Sequence, residues 1–226
     1  ITGTDYIYDD AGRRVVGSDG KYLRTESTTE IIGNIQPDWT GGVNNSFRYK
    51  GLSLGFLIDV QQGGDVVNYD MGFGGATGLL AETAGLNELG NPKRDPVSEG
   101  GGVLLDGVTG DVTYNEDGTY TVTNTAENTT RADASTYLTP FGYYGGSADT
   151  GVYAPDAQLV YDASYVKLRE VRLGYELPQR LVEQFSLTSA NIGVTGRNLW
   201  IIHKNLPYGD PEASPSSGNL QGIQNG

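Results

Sequence analysis

The feature that most constrains this chain is a run of strictly alternating residues after position 51. Its apolar members are Leu52, Leu54, Phe56, Ile58 and Val60, and most of the residues between them are small or polar. Successive side chains of a β-strand point to opposite faces, so the pattern predicts a strand with one apolar and one largely polar face. A helix would spread the same five side chains around its circumference. The chain is therefore built around at least one amphipathic strand.

Three further segments have the same alternation of apolar and polar residues. Residues 40–50 alternate and meet the first strand at a tight turn, Lys50-Gly51. Residues 165–177 and 191–202 form the other two strands, with a possible helical turn at residues 179–187 between them. Their apolar faces carry Val171, Leu173 and Tyr175 in one strand and Ile192, Val194 and Trp200 in the other. Val166 and Leu168 have the opposite parity, which predicts either a bulge near Arg169 and Glu170 or a strand that leaves the apolar zone there.

The opposite faces of these strands are polar. They carry Asn44, Arg48, Asp59, Arg172, Glu176 and Arg197. Such side chains suit either a water-filled lumen or the surface of a soluble protein. Within a lumen, Asp59, Arg172 and Arg197 would more commonly form ion pairs between strands or with another part of the same protein than contact a ligand.

A long acidic insertion, residues 63–160, separates the two strand pairs. It holds 14 acidic and three basic side chains, whereas the whole chain has a net charge of −13. A chain this acidic is not predicted to bind nucleic acid. With one His and no Cys, it offers no triad, disulfide or thiolate metal site. Its acids show no pairing typical of a glycosidase, so we predict no enzyme, no catalytic residue, no metal and no cofactor.

The insertion contains a hairpin signal around residues 115–118 and, near its end, an aromatic cluster. The cluster comprises Tyr137, Phe141, Tyr143, Tyr144 and Tyr153. Exposed aromatic rings pack on sugars and on peptide side chains, so these residues are candidates for contact with a ligand or a lid. The more common alternative is that they form the small core that orders so long an insertion.

Two fold classes fit four amphipathic strands: a transmembrane β-barrel and a soluble β-sandwich with one buried face. No apolar run is long enough for a transmembrane helix. The length of the insertion favours the barrel, since membrane barrels have long loops on the extracellular side. Four strands cannot close a barrel, so we expect either an oligomer or part of a longer chain.

Several ordered motifs resemble the C-terminal part of SusC/RagA-type TonB-dependent outer-membrane transporters. They are residues 33–42, 45–54, 59–66 and 163–178, followed by Gly196-Arg-Asn-Leu-Trp200 and Tyr208-Gly-Asp-Pro-Glu212. The resemblance implies an all-β fold: an antiparallel transmembrane β-barrel, of which this chain supplies only the last several strands. The complete family barrel has about 22 strands that surround a plug, and its extracellular loops are long. The chain lacks the plug and the final strand, so we interpret it as a fragment.

The resemblance also implies an orientation. Residues 37–62 and 161–203 would each supply two barrel strands, the second pair joined by a periplasmic turn. Residues 1–36, which otherwise suggest loop with short hairpin pieces, would be extracellular, as would the insertion at 63–160. Residues 204–226 would form an extracellular loop before a missing last strand.

The function implied is energy-coupled import of bulky nutrients, an oligosaccharide or an oligopeptide, across the bacterial outer membrane. A SusD-like surface lipoprotein would be the partner at the mouth, and TonB-ExbB-ExbD would act through the missing plug segment. The protein would be a multi-pass membrane protein whose apolar strand faces contact lipid. The alternative is a soluble, secreted β-rich binding or adhesion module.

Overall fold

The computed structural model describes residues 1–138 and 154–213 and the backbone of residues 223–224. The strands are β1 (Thr2–Gly3), β2 (Val15–Val16), β3 (Glu30–Ile31), β4 (Pro37–Tyr49), β5 (Leu52–Gly63), β6 (Asp65–Asn68), β7 (Val103–Leu104), β8 (Val108–Tyr114), β9 (Tyr120–Glu127), β10 (Arg131–Ala132), β11 (Val160–Asp162), β12 (Tyr165–Glu176), β13 (Asn191–Lys204) and β14 (Ile223–Gln224). The helices are α1 (Tyr69–Thr77), α2 (Gln179–Val182) and 3₁₀ turns at Ala81–Thr83, Val97–Glu99, Asp156–Leu159 and Glu183–Phe185. Among the helices of the described ranges, none has the length and apolarity that crossing a membrane requires.

The chain divides into two compact units. The sheet unit comprises Gln36–Asp65 and Asp162–Ala213, and the loop-rich unit comprises Ile1–Ile35, Val66–Tyr161 and Ser214–Gly226. Each unit is thus assembled from segments that are distant in sequence.

The sheet unit contains four long antiparallel strands in the order β13-β12-β5-β4. β4 and β5 are joined by a two-residue turn in which Lys50 and Gly51 both have positive φ, 47° and 84°. That geometry matches the right-handed twist of a hairpin and is tolerated best by glycine. β12 and β13 are joined through α2 and the following 3₁₀ turn, so the helical turn expected there is confirmed.

The bulge expected near Arg169 is also confirmed. Leu168 pairs with Ile58 and Glu170 pairs with Leu57, which leaves Arg169 as an additional residue in β12. The extra residue shifts the alternation by one, so Val166 and Leu168 lie on the same face as Val171. A matching irregularity occurs in β13, where Asn198 has a φ of 50°.

The loop-rich unit has short strands around small apolar cores. The hairpin expected around residues 115–118 is present as β8 and β9, in which Val112 pairs with Val122. The early segment does more than form short hairpin pieces, because β2 pairs in parallel with β8 and Val15 lies opposite Val108. This long-range pairing has no local sequence signal, since two-residue strands are too short to show a period.

Remaining strands make three small sheets or pairs. β1 pairs with β3 and β7 pairs with β10, both antiparallel, while β6 lies between β11 and β14. Together with the long sheet they make the described fold mainly antiparallel β.

Candidate functional site

The apolar side chains of the four long strands form one continuous surface, which we call the apolar face. Its members follow from the pairing register, because residues directly opposite in antiparallel strands share a face. Successive rows across β4, β5, β12 and β13 are Tyr49, Leu52, Tyr175, Ile192; then Phe47, Leu54, Leu173, Val194; then Asn45, Phe56, Val171, Gly196; then Val43, Ile58, Leu168, Trp200. Val60 continues the face between Gly41 and Val166.

Much of this face is exposed. Val194 is 71% exposed, Leu52 58% and Leu173 56%, whereas Phe56, Ile58, Val60 and Val171 are partly buried by their neighbours in the sheet. Soluble monomers rarely expose so large a contiguous apolar surface. The face therefore needs an apolar medium or a partner to cover it.

Aromatic side chains stand near the margins of the apolar face. Tyr49 and Tyr175 lie at the hairpin-turn end of the sheet, and Trp39 and Trp200 lie towards the other end. All four are exposed. Amphipathic rings at two levels are typical of the two interfaces of a membrane.

The other face, which we call the polar face, carries every polar residue expected on it. Arg48 lies in the row of Ser53 and Gly174, Arg172 in the row of Ser46 and Gly55. The remaining members occupy neighbouring rows: Asn44, Glu170 and Arg197; Asp59 with Lys167; and Glu176 with Asn191. The two faces thus have opposite chemistry along the full length of the sheet.

Away from the hairpin turns, the polar face ends in a charged cluster. We call it the latch and define it as Asp59, Tyr165, Lys167, Arg169, Asp210 and Glu212. The first four residues come from β5 and β12, and the last two come from the segment that follows β13. Arg169 reaches this cluster because the bulge turns its side chain to the polar side, where its Nε and Nη2 donate to Asp59 Oδ2 at 2.9 and 2.7 Å.

Lys167 is the buried cation of the latch. Its side chain is 5% exposed, and Nζ forms ion pairs with Asp210 and Glu212. Glu212 also pairs with Arg169 and accepts a hydrogen bond from the Tyr165 hydroxyl at 3.0 Å. Partial burial raises the pKa of Glu212, but hydrogen bonds from Arg169, Lys167 and Tyr165 outweigh it and lower the pKa to about 2. Glu212 is therefore ionised at neutral pH.

The latch fixes residues 205–213, which we call the return segment. Lys204 Nζ donates to the Gly209 carbonyl at 2.6 Å, and Asn205 Nδ2 donates to Asp162 Oδ2 at 2.7 Å. Leu206 in the same segment is fully buried. Ion pairs and hydrogen bonds hold this segment against the end of the sheet.

Nearer the hairpin turns the charges are balanced differently. Glu170 forms ion pairs with both Arg172 and Arg197, whose side chains are 67% and 76% exposed. Arg48 forms no ion pair within the described residues. In this part of the polar face, Glu170 therefore pairs with two of the three guanidinium groups, and Glu176 is the second carboxylate nearby.

The aromatic candidates lie in the other unit. Tyr137 is 7% exposed and belongs to the buried residues of the loop-rich unit. That burial agrees with the core alternative for this residue. Phe141, Tyr143, Tyr144 and Tyr153 lie outside the described residues.

The latch was not predicted from the sequence, although its residues lie within three of the motifs that carry the family resemblance, Asp59 being the first residue of 59–66. Tyr165, Lys167 and Arg169 belong to the segment 163–178, and Asp210 and Glu212 belong to Tyr208-Gly-Asp-Pro-Glu212. The sequence signal for the latch was a pair of basic residues, Lys167 and Arg169, and a pair of acidic residues, Asp210 and Glu212, each pair with one residue between its members. Their pairing depends on a turn after β13 that has no periodic pattern.

Comparison with known proteins gives one curated relative and several solved structures, while no family model matches. The relative is "TonB-dependent receptor P3" of Formosa agariphila, 25% identical over 216 residues that make up 94% of this chain and 16% of the relative. The RagAB peptide transporter structure matches at 18% identity and a TM-score of 0.50, over 99% of this chain and 20% of that chain. The closed-closed state of the RagAB peptide importer matches at 22% identity and a TM-score of 0.48, over 99% of this chain and 21% of that chain.

The chain spans about a sixth of the length of the curated relative and a fifth of the matched structures. The matches include almost the whole of this chain, so the sheet and the loop-rich unit both fall within the similar region. The chain is therefore similar to one part of a SusC/RagA-type TonB-dependent receptor.

Proposed function

We propose that the chain forms part of the wall and outer loops of a TonB-dependent receptor in the bacterial outer membrane. The observation that carries this proposal is the sheet with two chemically opposite faces. In a soluble sandwich the apolar face would be covered by a second layer, whereas here Phe47, Leu173 and Val194 are exposed. Lipid contact on one face and a wet, plugged lumen on the other account for both faces at once.

In this proposal the apolar face contacts lipid. The residues assigned to lipid are Leu52, Leu54, Phe56, Ile58, Val60, Val171, Leu173, Tyr175, Ile192, Val194 and Trp200. The residues assigned to the lumen are Asn44, Arg48, Asp59, Arg172, Glu176 and Arg197. The strands are long enough, since a tilted membrane strand needs about 9 to 11 residues, and those of the sheet have 12 to 14.

The orientation proposed from the motifs is supported by the lengths of the connections. Lys50-Gly51 and the helical connection through α2 leave the same end of the sheet, and we assign that end to the periplasm. The long segments, residues 1–36, 63–160 and 204–226, are assigned to the extracellular side. Outer-membrane barrels have this asymmetry of short periplasmic turns and long extracellular loops.

The transport cycle is proposed for the complete receptor. A SusD-like lipoprotein would cover the mouth and an oligosaccharide or oligopeptide would pass through the lumen, with TonB-ExbB-ExbD acting on the plug. Phe141, Tyr143, Tyr144 and Tyr153 are the proposed ligand or lid contacts, whereas Tyr137 is buried. No covalent chemistry on the nutrient is required of these residues.

Fractionation of cells that produce the full-length receptor tests this function. We expect the protein in the outer membrane, soluble only with detergent, and a native mass that includes a lipoprotein partner. Deletion of the receptor should abolish growth on either an oligopeptide or an oligosaccharide, while growth on the corresponding monomers is unaffected. A receptor that is soluble and monomeric without detergent would contradict the proposal and leave the soluble binding module.

A further inference from the structure

The connection between β12 and β13 exposes large apolar side chains at the hairpin-turn end of the sheet. We call residues 178–187 the helical connection. Phe185 is 74% exposed, Leu187 52% and Leu181 49%, whereas the side chain of Val182 is buried. The three exposed residues lie beyond the end of β12 and are not part of the apolar face. They form a second apolar surface that needs a cover.

The helical connection is a short amphipathic helix. α2 continues without a break into the 3₁₀ turn that follows it. Leu181 and Phe185 are four residues apart, so they share one side of the helix, next to the buried Val182. Arg180 and Glu183 are three residues apart and lie on a different side. The exposed apolar side chains are therefore grouped, and the charged ones are separated from them.

The end of the helix brings the third apolar residue back to this group. Ser186 has a φ of 54°, and its N–H donates to the Glu183 carbonyl at 3.0 Å. The Leu187 N–H donates to the Val182 carbonyl at 3.3 Å. These two hydrogen bonds define a Schellman motif, which ends a helix and commonly pairs apolar residues at the two positions that Leu187 and Val182 occupy. The turn thus has a fixed backbone, with Leu187 beside the buried residue of the helix.

The apolar face of the sheet continues up to the helical connection. Beyond the last pair of β12 and β13, the Leu177 N–H donates to the Ala190 carbonyl at 2.9 Å. Residues two apart along a strand share a face, so Leu177 and Ala190 add one row to the apolar face after Tyr175 and Ile192. The helix begins two residues after Leu177. Lipid that covers the apolar face therefore reaches the start of the helix.

The depth of the helix in a membrane follows from the length of the chain that leads to it. β12 ends at Glu176 and α2 begins at Gln179, and three residues of extended chain span at most about 11 Å. Tyr175 stands at the end of the strand, where interfacial aromatic residues lie. The headgroup region on each side of the hydrocarbon core is about 5 to 8 Å thick. The helix therefore starts at the level of the lipid headgroups.

We propose that the helical connection is a membrane-interface anchor, with Leu181, Phe185 and Leu187 inserted among the lipids of the periplasmic leaflet. The inference rests on the proposed function, because that function places this end of the sheet at the periplasmic interface. Amphipathic helices at such a depth bury their apolar side about 5 to 10 Å into the boundary between headgroups and acyl chains. Lipid is favoured over a protein partner because the apolar face extends to within two residues of the helix.

Depth-dependent fluorescence quenching of the full-length receptor, reconstituted in phospholipid bilayers, tests the proposal. Phe185→Cys and Leu187→Cys each carry a small NBD fluorophore, in a receptor without other accessible cysteines. Glu183→Cys with the same label is the matched control, because it lies in the same helix on the charged side. Lipids with a nitroxide near the headgroup quench shallow labels, and lipids with a nitroxide near the end of the acyl chain quench deep ones.

The labels at positions 185 and 187 should lose more fluorescence to the shallow nitroxide than to the deep one. They should also lose more than the label at position 183. Equal quenching at positions 183 and 185 would overturn the proposal, since the helix would then have no lipid-facing side. Absence of quenching at both 185 and 187 would also overturn it, and blue-shifted emission in that case would indicate a protein cover.

A label on Val194→Cys in the same bilayers separates this inference from the proposed function. Position 194 lies within the apolar face, so the deep nitroxide should quench it strongly. If position 194 is quenched and positions 185 and 187 are not, only the anchor assignment fails. If position 194 is not quenched by either lipid, the proposed function fails first.

Discussion

The two units of this protein arrange their apolar residues in opposite ways. In the loop-rich unit Ile7, Val15 and Val108 are completely buried and pack together. In the sheet unit Val194 is among the most exposed large hydrophobic side chains, while Lys167 is buried. The loop-rich unit buries its apolar side chains, as a protein surrounded by water does. The sheet unit exposes apolar side chains and buries a charged one. Water does not stabilise this arrangement, whereas a bilayer does.

The largest expected effect comes from placing a charge on the apolar face. Val194→Arg puts a guanidinium in the hydrocarbon region, which costs about 2 to 4 kcal/mol near the membrane midplane. We expect the heat-resistant folded form of the full-length receptor to be lost from outer-membrane fractions on semi-native gels. Thr195→Arg, the next residue on the polar face, is the matched control and should keep that form. Equal loss in both variants would contradict the assignment of faces.

A smaller effect is expected from a cavity in the loop-rich unit. Ile7→Ala removes buried methyl groups from the cluster with Val15 and Val108, at a cost of about 2 to 3 kcal/mol. Hydrogen exchange should become faster in β2 and β8, with no change in the four long strands. The control is Ile31→Ala, because Ile31 is 83% exposed and its truncation should change little. Faster exchange throughout the long strands would show that the two units do not unfold separately.

The latch gives a prediction for the sheet unit alone. Glu212→Gln keeps the shape of the side chain but removes the charge that faces Lys167 and Arg169. The side chain is 35% exposed, so we expect a loss of roughly 1 to 2 kcal/mol in the local opening of the return segment, between the values for exposed and buried charged pairs. Protease cleavage within residues 205–213 should be faster. Glu183→Gln, on an exposed turn, should leave that cleavage rate unchanged.

The smallest expected effect is a pH dependence of the same segment. The pKa of Glu212 falls from about 4.5 to about 2 on folding, so its ionised form stabilises the folded state. That contribution is present above about pH 4.5 and is lost progressively as the pH falls towards 2. A nitroxide on Ala213→Cys should become more mobile across this range. The additional Glu212→Gln change should remove this part of the pH response, and a response that persists would contradict the role of Glu212.

The long strands could be predicted from sequence because their information is local. Five alternating apolar residues define β5, and the parity change after Leu168 indicates an irregularity near Arg169, which the pairing register shows to be a bulge. The assignment of Arg172 and Arg197 to the polar face follows from the same period of two. Nothing in that period shows that both side chains bind Glu170.

The latch and the loop-rich core could not be predicted because their contacts are non-local. Lys167 meets Glu212 only after the chain has passed through β13 and turned back. Val15 meets Val108 through a parallel pair of very short strands. In both places the pairing is decided by tertiary packing, which a single sequence without periodic signal does not contain.

The central claim is that the apolar face contacts lipid and the polar face does not. Nitroxide labels at Val194→Cys and Thr195→Cys in the full-length receptor, reconstituted in bilayers, test it at two adjacent residues. Paramagnetic relaxation measures how often each label meets oxygen, which dissolves in lipid, and a charged nickel chelate, which stays in water. The account predicts high oxygen and low nickel accessibility at position 194, with low oxygen accessibility at position 195. High nickel accessibility at position 194, or the same values at both positions, would contradict it.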